Sequence, residues 1–568
     1  MGTLANMTRY RFRLLTVAVI FTSIFLRYLV LPNPLYGAGH DDELMVRLGA
    51  SILRGNWLGD YSSGGHMLLS KPAGYPLFLA WTHFLPWSPT MTVHLILLMG
   101  VLLAARELRH MSMSREFVLL FIALSALHPQ WYGGQMSRIY REGLLTALTF
   151  LGLGLSLWLG RIIPTWLGKK QFRARLAVEV VFVSLLTGLT LSWSIATKPG
   201  WYPLAFAMLI LSIRRMICIR RINWRDWIPQ LVVAGISVTL GVTSIVGYVK
   251  FQNQRHYGIS QLDTFSAGSF PKFLNRWSSV NSDDTRKYIL VDASQRKRVY
   301  AISPTAKRLE PFLEIVPNDS WRDAACSSAL KICDESAAWF VWDLRDAMHS
   351  AGLDTSAKLF EASSSQISTD IRTACSTRIF RCSNSGIAPG VISLSEMSKR
   401  EIVDAYATAA DWLVFPDIGS TIRGGPAPDG AGTQDWDEIV RGLPERTALN
   451  PYRPEVVSIG RSMSFLQRLF AIIWPTLILL SIVGFVINIF RKARIRGLQL
   501  VSFAAFFGMT LFVGQLALLE TSSGMYLNSG AALYLLPCFP FLLLFIVIEL
   551  SVTCAEFKQK IGYQAKEN

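Results

Sequence analysis

Charge is scarce in this chain. Asp, Glu, Lys and Arg make up 17% of the 568 residues against 51% hydrophobic ones, and mean hydropathy is +0.33. Soluble globular domains carry about 25% charged residues, so the deficit excludes that class and points to a polytopic membrane protein. Acidic residues are the rarer sign, 39 against 56 Lys and Arg, which leaves a net charge of +17. That excess alone would suit nucleic acid. The basic residues stand in short clusters between apolar runs, however, where membrane topology accounts for them, and nucleic acid is excluded as a partner.

Cysteine is also sparse, with seven in the chain. Cys218, Cys538 and Cys554 lie in or beside apolar runs and read as small packing residues. The other four, Cys326, Cys333, Cys375 and Cys382, fall in one long polar segment as "CSSALKIC" and "CSTRIFRC". Neither pair is the CxxC of zinc ribbons or dithiol redox motifs. Two local disulfides in an oxidising compartment are the expectation, with four free thiols as the alternative. Internal repeats and low-complexity tracts are lacking. No small-residue cleavage site follows the first apolar run, which reads as a retained span.

What the chain has in abundance is long apolar runs. Segments able to cross about 30 Å of hydrocarbon fall near 14–31, 90–105, 117–134, 143–162, 176–195, 200–217, 228–249, 465–490, 498–519 and 531–553. The basic clusters "RYRFR", "RELRH", "KKQFRAR", "RRMICIRRINWR", "RKARIR" and "KQK" all fall on one side of a ten-span topology. The positive-inside rule makes that side the cytoplasm and places both termini there. The run "YPLFLAWTHFLPW" (75–87) is short and contains two prolines, so it reads as an interfacial or re-entrant piece. The expected architecture is α-helical and polytopic in three parts. Residues 1–250 form a membrane core of seven spans with a first outside loop at 32–89. Residues 251–462 form a mainly helical extracytoplasmic domain, with helices near 335–350 and 354–375, and residues 463–568 hold the last three spans. A bacterial inner membrane fits this compact topology best.

The densest polar motif, "GAGHDDELMVRLGASILRGNW" (37–57), follows the first span directly. A helix beginning near Asp42 would line Leu44, Met45, Leu48 and Ile52 along one face and Glu43, Arg47 and Arg54 along the other, as a surface helix with a Glu43–Arg47 ion pair. Asp41 and Asp42 have no partner on that helix. One of them can serve as N-cap, but capping needs only one carboxylate. More polar residues follow on the same side: Lys71 in "KPAGYPLF", and Arg138, Arg141 and Glu142 in "SRIYREGLL" at the entrance to the fourth span. Charged groups at that depth face protein or a water-filled cavity, because lipid exposure costs about 2.5–3.5 kcal/mol each. Glu142 reads equally as an ion-pair partner of Arg138, one helical turn away.

The combination of "HDDELMVRLGASILRGNW", "KPAGYPLFLAW", "SRIYREGLLTALTFLGL" and the closing "LYLLPCFPFLLL" resembles the GT-C glycosyltransferases, multi-span enzymes that use lipid-phosphate-linked sugars. The resemblance covers the first 250 residues and the last span. It implies a GT-C-like fold, a polyprenyl-phosphate-linked sugar as donor and an envelope glycan, lipid or protein as acceptor. It further implies that Asp42 or Asp41 is the general base. Arg138, Arg141, Lys71 and Lys198 would bind the donor phosphate, and Glu142 would be a second acidic residue at the site. The chain departs from the pattern at "TKPGWYPL", where Lys198 stands alone, and at Leu533 in "ALYLLP", where relatives often carry Arg. Glu520 is a substitute candidate. A divalent metal held by His40, Asp41, Asp42 and His66 is conceivable, but no spacing is diagnostic. The rival readings are a transporter or flippase, which would place ionisable groups near the midplane, a glycan polymerase or ligase built on basic residues and His, and an inactive relative that binds glycans.

Overall fold

The computed structural model describes residues 9–30, 41–61, 67–167, 174–200, 202–218, 228–283, 286–315, 319–328, 330–383, 398–416, 431–440, 454–490, 496–523 and 533–567. In chain order, α1 (Arg9–Leu29) leads to two short helices, α2 (Asp42–Leu53) and α3 (Gly74–Thr82), and then to α4 (Pro89–His110) and α5 (Arg115–Ala126). A single turn, α6 (Gly134–Ser137), precedes α7 (Arg141–Leu167), α8 (Ala174–Thr197), α9 (Tyr202–Cys218) and α10 (Ile228–Tyr257). The polar segment holds α11 (Ser269–Ser278), α12 (Ala293–Ile302), α13 (Pro304–Lys307), α14 (Asp319–Ser327), α15 (Phe340–Ser350), α16 (Ala357–Ser376), α17 (Lys399–Val414) and α18 (Ala431–Val440). The chain closes with α19 (Pro454–Phe490), α20 (Arg496–Ser523) and α21 (Phe539–Glu567).

The protein is an α-helical polytopic membrane protein. Among the described residues, eight helices are long and apolar enough to cross a bilayer: α1, α4, α7, α8, α10, α19, α20 and α21. Two of the ten expected spans are shorter. The segment expected to span at 117–134 forms α5, whose 12 residues reach only about 18 Å. Pro129 then turns the chain into a 3₁₀ segment, Pro129–Tyr132, because it has no N–H to continue the helical ladder. The apolar part of α9 is the short stretch Tyr202–Arg214. The 75–87 run forms α3, a buried nine-residue helix rather than a crossing.

Helix α2 is buried along most of its length. Leu44, Met45, Val46, Leu48, Gly49 and Ala50 are all buried, and Arg47 and Arg54 remain exposed. It is packed against α3 and α18. Glu43 and Arg47 form no ion pair among the described residues. Arg54 instead pairs with Asp435 at 2.9 Å and Glu438 at 2.7 Å of α18.

The polar segment divides in two. Its first part has its own core, built by the stripe Phe270, Phe273, Leu274 and Trp277 of α11 against Leu344 and Met348 of α15 and Phe360, Ile367 and Ile371 of α16. The helices expected at 335–350 and 354–375 correspond to α15 and α16. Both disulfides form, Cys326–Cys333 at the end of α14 and Cys375–Cys382 from the last turn of α16 to the chain beyond it. Its second part, α17 and α18, returns to the membrane core through Ala409, Leu413, Trp436 and Ile439.

An apolar seam ties the first loop to the polar segment: Leu44, Leu48, Trp57, Tyr61 and Leu69 meet Val249, Tyr257, Ile259, Leu262 and Ala357. Hydrogen bonds cross it. The Leu69 carbonyl accepts from the Thr264 backbone N at 2.8 Å and from its Oγ1 at 3.1 Å. The Tyr61 hydroxyl donates to Asp354, which in turn faces the fully buried Arg345 at 3.5 Å.

Gly74 is the tightest contact around α3. A Cβ there would lie 2.4 Å from the Ala196 carbonyl carbon, and Trp193 Nε1 donates to the Gly74 carbonyl at 3.0 Å. This backbone-on-backbone approach pins the start of α3, three residues after Lys71, to the end of α8, two residues before Lys198. Gly74→Ala must push these elements apart. It should destabilise the protein by about 1–3 kcal/mol, as overpacking does, and a thermal melt of the detergent-solubilised variant below the parent checks this.

Candidate functional site

Asp41 occupies the N-cap position of α2, yet its side chain makes no capping hydrogen bond. The carboxylate turns instead to Lys71, whose Nζ donates to Oδ1 at 2.5 Å, and to Tyr140, whose hydroxyl donates to the same oxygen at 2.9 Å. Capping as the sole reason for this residue therefore falls. The Asp41 side chain is 42% exposed, whereas Lys71 is 7% exposed and sits beneath it. Burial pushes the Asp41 carboxyl up, but the charge and hydrogen bond of Lys71, the Tyr140 hydroxyl and the nearby Arg141 outweigh it and hold the pKa at about 2.

Asp42, the next residue, is fully buried and takes a two-point grip from Arg138, with Nε donating to Oδ2 at 3.1 Å and Nη2 to Oδ1 at 2.9 Å. This fork-to-fork geometry locks the start of α2 to the loop before α7. Glu142, in the first turn of α7, is likewise fully buried. It accepts from Lys198 at 2.8 Å and faces the Arg141 Nε at 3.5 Å. The expected pairing of Glu142 with Arg138 is thus replaced by two crossed pairs, and Lys198 is not alone.

All seven sequence-derived candidates, Asp41, Asp42, Lys71, Arg138, Arg141, Glu142 and Lys198, are drawn together by these contacts. Four cations stand against three carboxylates. The Arg141 Nε is buried without a hydrogen-bond partner, as is Glu142 Oε2.

Three aromatic residues that sequence reasoning missed complete the cluster. Tyr140 is its hub: Lys71, Arg138 and Arg141 lie 5.5, 5.0 and 5.4 Å from its ring centroid. Tyr140 lies in "SRIYREGLL" between Arg138 and Arg141, and that adjacency to two cations is its signal in the sequence. Tyr534, in "ALYLLP", lies under Lys198 at 4.5 Å. A π face thus receives a cation next to Leu533, where an Arg was looked for. Trp342 of α15 covers Lys71 at 5.4 Å and is itself flanked by Phe265 at 4.6 Å and Trp321 at 6.1 Å. Nothing local in the sequence marks Trp342, whose place depends on the fold of the polar segment. Asp263 lies buried nearby, its carboxylate accepting from the Phe265 and Ser266 backbone at 2.9 and 2.6 Å. Burial raises its pKa against those bonds.

The divalent-metal set fares differently. His40 and His66 lie outside the described residues, Asp41 Oδ1 accepts from Lys71 and Tyr140, and both Asp42 oxygens accept from Arg138. Among the described residues, no group of three His, Cys, Asp or Glu side chains gathers as a metal would require. Carboxylates already faced by ammonium and guanidinium groups are a poor donor set for a divalent ion. Glu520 is buried.

No protein-family profile matches the chain, and no curated protein matches it in sequence. Two solved structures align with most of it. ArnT from Cupriavidus metallidurans bound to undecaprenyl phosphate does so at 12% identity and TM-score 0.29, over 90% of this chain and 77% of that one. The same protein in the apo state does so at 13% identity and TM-score 0.32, over 95% and 77%. At TM-scores this low the likeness carries no argument about fold or function.

Lys71 gives the cluster a measurable signature. Burial lowers its pKa and Arg141 lowers it further, Asp41 and Glu142 pull it back, and the balance leaves it at about 8 instead of 10.5. The amine is charged below that pH and neutral above it. Its acylation by an amine-reactive reagent, followed by peptide mass spectrometry, should therefore rise as pH passes about 8, well before exposed lysines titrate. Asp41→Asn removes the group that holds the proton on, so it should shift the Lys71 profile to lower pH.

Proposed function

We propose that this protein is a GT-C-type glycosyltransferase that moves a hexosyl or pentosyl unit from a polyprenyl-phosphate carrier to an envelope glycan, lipid or protein on the extracytoplasmic side. The observation that carries this reading is the Asp41 carboxylate, partly exposed, withdrawn from capping and set at the edge of a cluster with more cations than anions.

In this reading the acceptor hydroxyl oxygen forms the bond to the anomeric carbon, the bond from that carbon to the carrier phosphate oxygen breaks, and the hydroxyl proton passes to Asp41. Asp41 is a better candidate for this role than Asp42, because Asp42 is fully buried and both its oxygens are engaged by Arg138. A carboxylate held at about 2 is a weak base. It suffices because the hydroxyl becomes strongly acidic only as the new bond forms, so the proton leaves late. The phosphate is a good leaving group and needs charge stabilisation more than protonation, which is why one carboxylate serves where a glycosidase needs two. Lys71, Arg141 and Lys198 supply that charge. Arg138 and Asp42 hold the site's shape, and Glu142 keeps Lys198 and Arg141 in place. The excess positive charge draws an anionic donor.

Asp41→Asn keeps the shape of the side chain and removes its basicity. In a deletion strain, complementation with Asp41→Asn should leave the envelope glycan profile of the deletion, with transfer reduced by about 10²–10⁴-fold, while the protein is made at parental levels. Full restoration by Asp41→Asn overturns the assignment. Asp42→Asn should instead lower the melting temperature, because Arg138 loses its charged partner in a buried setting.

A further inference from the structure

Helix α15 of the polar segment meets the first loop at two points. Trp342, Arg345 and Asp346 stand within one turn of each other and share a face of the helix. Arg345 is fully buried and donates from Nη1 to Thr264 Oγ1 at 2.5 Å. Thr264 in turn holds the carbonyl of Leu69, two residues before Lys71, from its backbone N and its Oγ1. Arg345 Nε also faces Asp354 at 3.5 Å, and Asp354 accepts from the Tyr61 hydroxyl of the first loop. Through Arg345 the helix grips the loop on its approach to Lys71. Through Trp342, one turn earlier, it covers Lys71 itself, with Nζ 5.4 Å from the ring centroid.

Trp342 is held in place by rings. Phe265 meets it edge-on at 4.6 Å and 66°, and Trp321 of α14 lies near-parallel at 6.1 Å and 18°. Trp321 Nε1 donates to Asp346 Oδ2 at 2.7 Å, so the face of α15 that carries Trp342 also fixes the ring stacked on it. Beneath, the Lys71 ammonium donates to Asp41 Oδ1 at 2.5 Å and to the Tyr140 hydroxyl at 3.3 Å. An ammonium is a compact, strongly hydrated charge, and the group that displaces its water decides what it can still do. A carboxylate in the place of Trp342 would neutralise Lys71. A ring attracts the cation through its quadrupole and has no lone pair to take its proton, so water is kept off while the positive charge stays undiminished. With water excluded, that charge acts more strongly on an arriving anion.

We infer that Trp342 is a positioning residue for Lys71, and that the polar segment, through α15, completes the part of the site that meets the carrier phosphate. The docking of α15 on the first loop is then a condition of the reaction. This role rests on the glycosyl-transfer reading for its chemistry, whereas the action of Trp342 on Lys71 can be read without any transfer. Burial is the largest of the causes that hold Lys71 at about 8. Removing the roof returns water to the amine, which outweighs the lost attraction of the ring and moves the titration up toward the ordinary lysine value of 10.5.

The test compares full-length parent, Trp342→Ala and Trp342→Phe. Lys71 acetylation by brief pulses of acetic anhydride is followed against pH by peptide mass spectrometry, and the envelope glycan profile is read in the complemented deletion strain. Trp342→Ala should raise the Lys71 midpoint by about one pH unit or more and lower the glycan product by about 3- to 30-fold. Trp342→Phe, which keeps a ring over the amine, should stay near the parent in both. If Trp342→Ala fails to fold, Trp342→Gln, which sets a hydrated polar group over the amine, should raise the midpoint as well. A parental midpoint in the folded Ala or Gln variant overturns the inference, and so does a raised midpoint with undiminished glycan product. Full restoration of the glycan profile by Asp41→Asn, by contrast, strikes the glycosyl-transfer reading and leaves the comparison of midpoints standing.

Discussion

The hydrogen bond from Lys71 to Asp41 is the interaction on which the candidate site depends. It takes the N-cap carboxylate away from α2, where it would have been only structural, and fixes it beside the Tyr140 hydroxyl. That choice forces the rest of the arrangement. With Asp41 turned aside, Asp42 is left to anchor α2, and it does so through Arg138. Arg138 is then not available to Glu142, which takes Lys198 and Arg141. Each pair satisfies a buried charge, and together they bind the first loop, the entrance of α7 and the end of α8 into one charged knot.

The knot is positioned by backbone contacts rather than by side chains alone. Gly74 brings α3 onto α8 and so sets Lys71 and Lys198 from opposite sides. The Leu69 carbonyl, bonded twice by Thr264, ties the loop just before Lys71 to the polar segment, and Trp342 roofs the ammonium. Residues from the membrane core and from the polar segment therefore meet at one point, and the polar segment is part of the site's construction.

Much of this was legible in the sequence, and the limits are instructive. The helical membrane architecture follows from apolar run length, and the cysteine pairs follow from matched spacing in one polar segment. Asp41, Asp42, Lys71, Arg138 and Arg141 were found because charge next to an apolar run needs a reason. What could not be read was who pairs with whom. Local rules favour Arg138 with Glu142 and Glu43 with Arg47, both four apart, but partners 96 and 56 residues distant along the chain win instead. The segment that forms α5 looked long enough to span until Pro129 broke it. The Trp342 contact has no local signature at all.

The charge contacts of α2 differ in their exposure to salt. The Asp42–Arg138 fork lies inside the protein, whereas Arg54 meets Asp435 and Glu438 of α18 with its own side chain 48% exposed. Dissolved ions screen exposed pairs over roughly 8 Å at physiological strength and reach buried ones far less. Ionic strength can therefore loosen the grip of α18 on the far end of α2 while its N-terminal end stays clamped, so the two ends of one twelve-residue helix answer to different solution conditions.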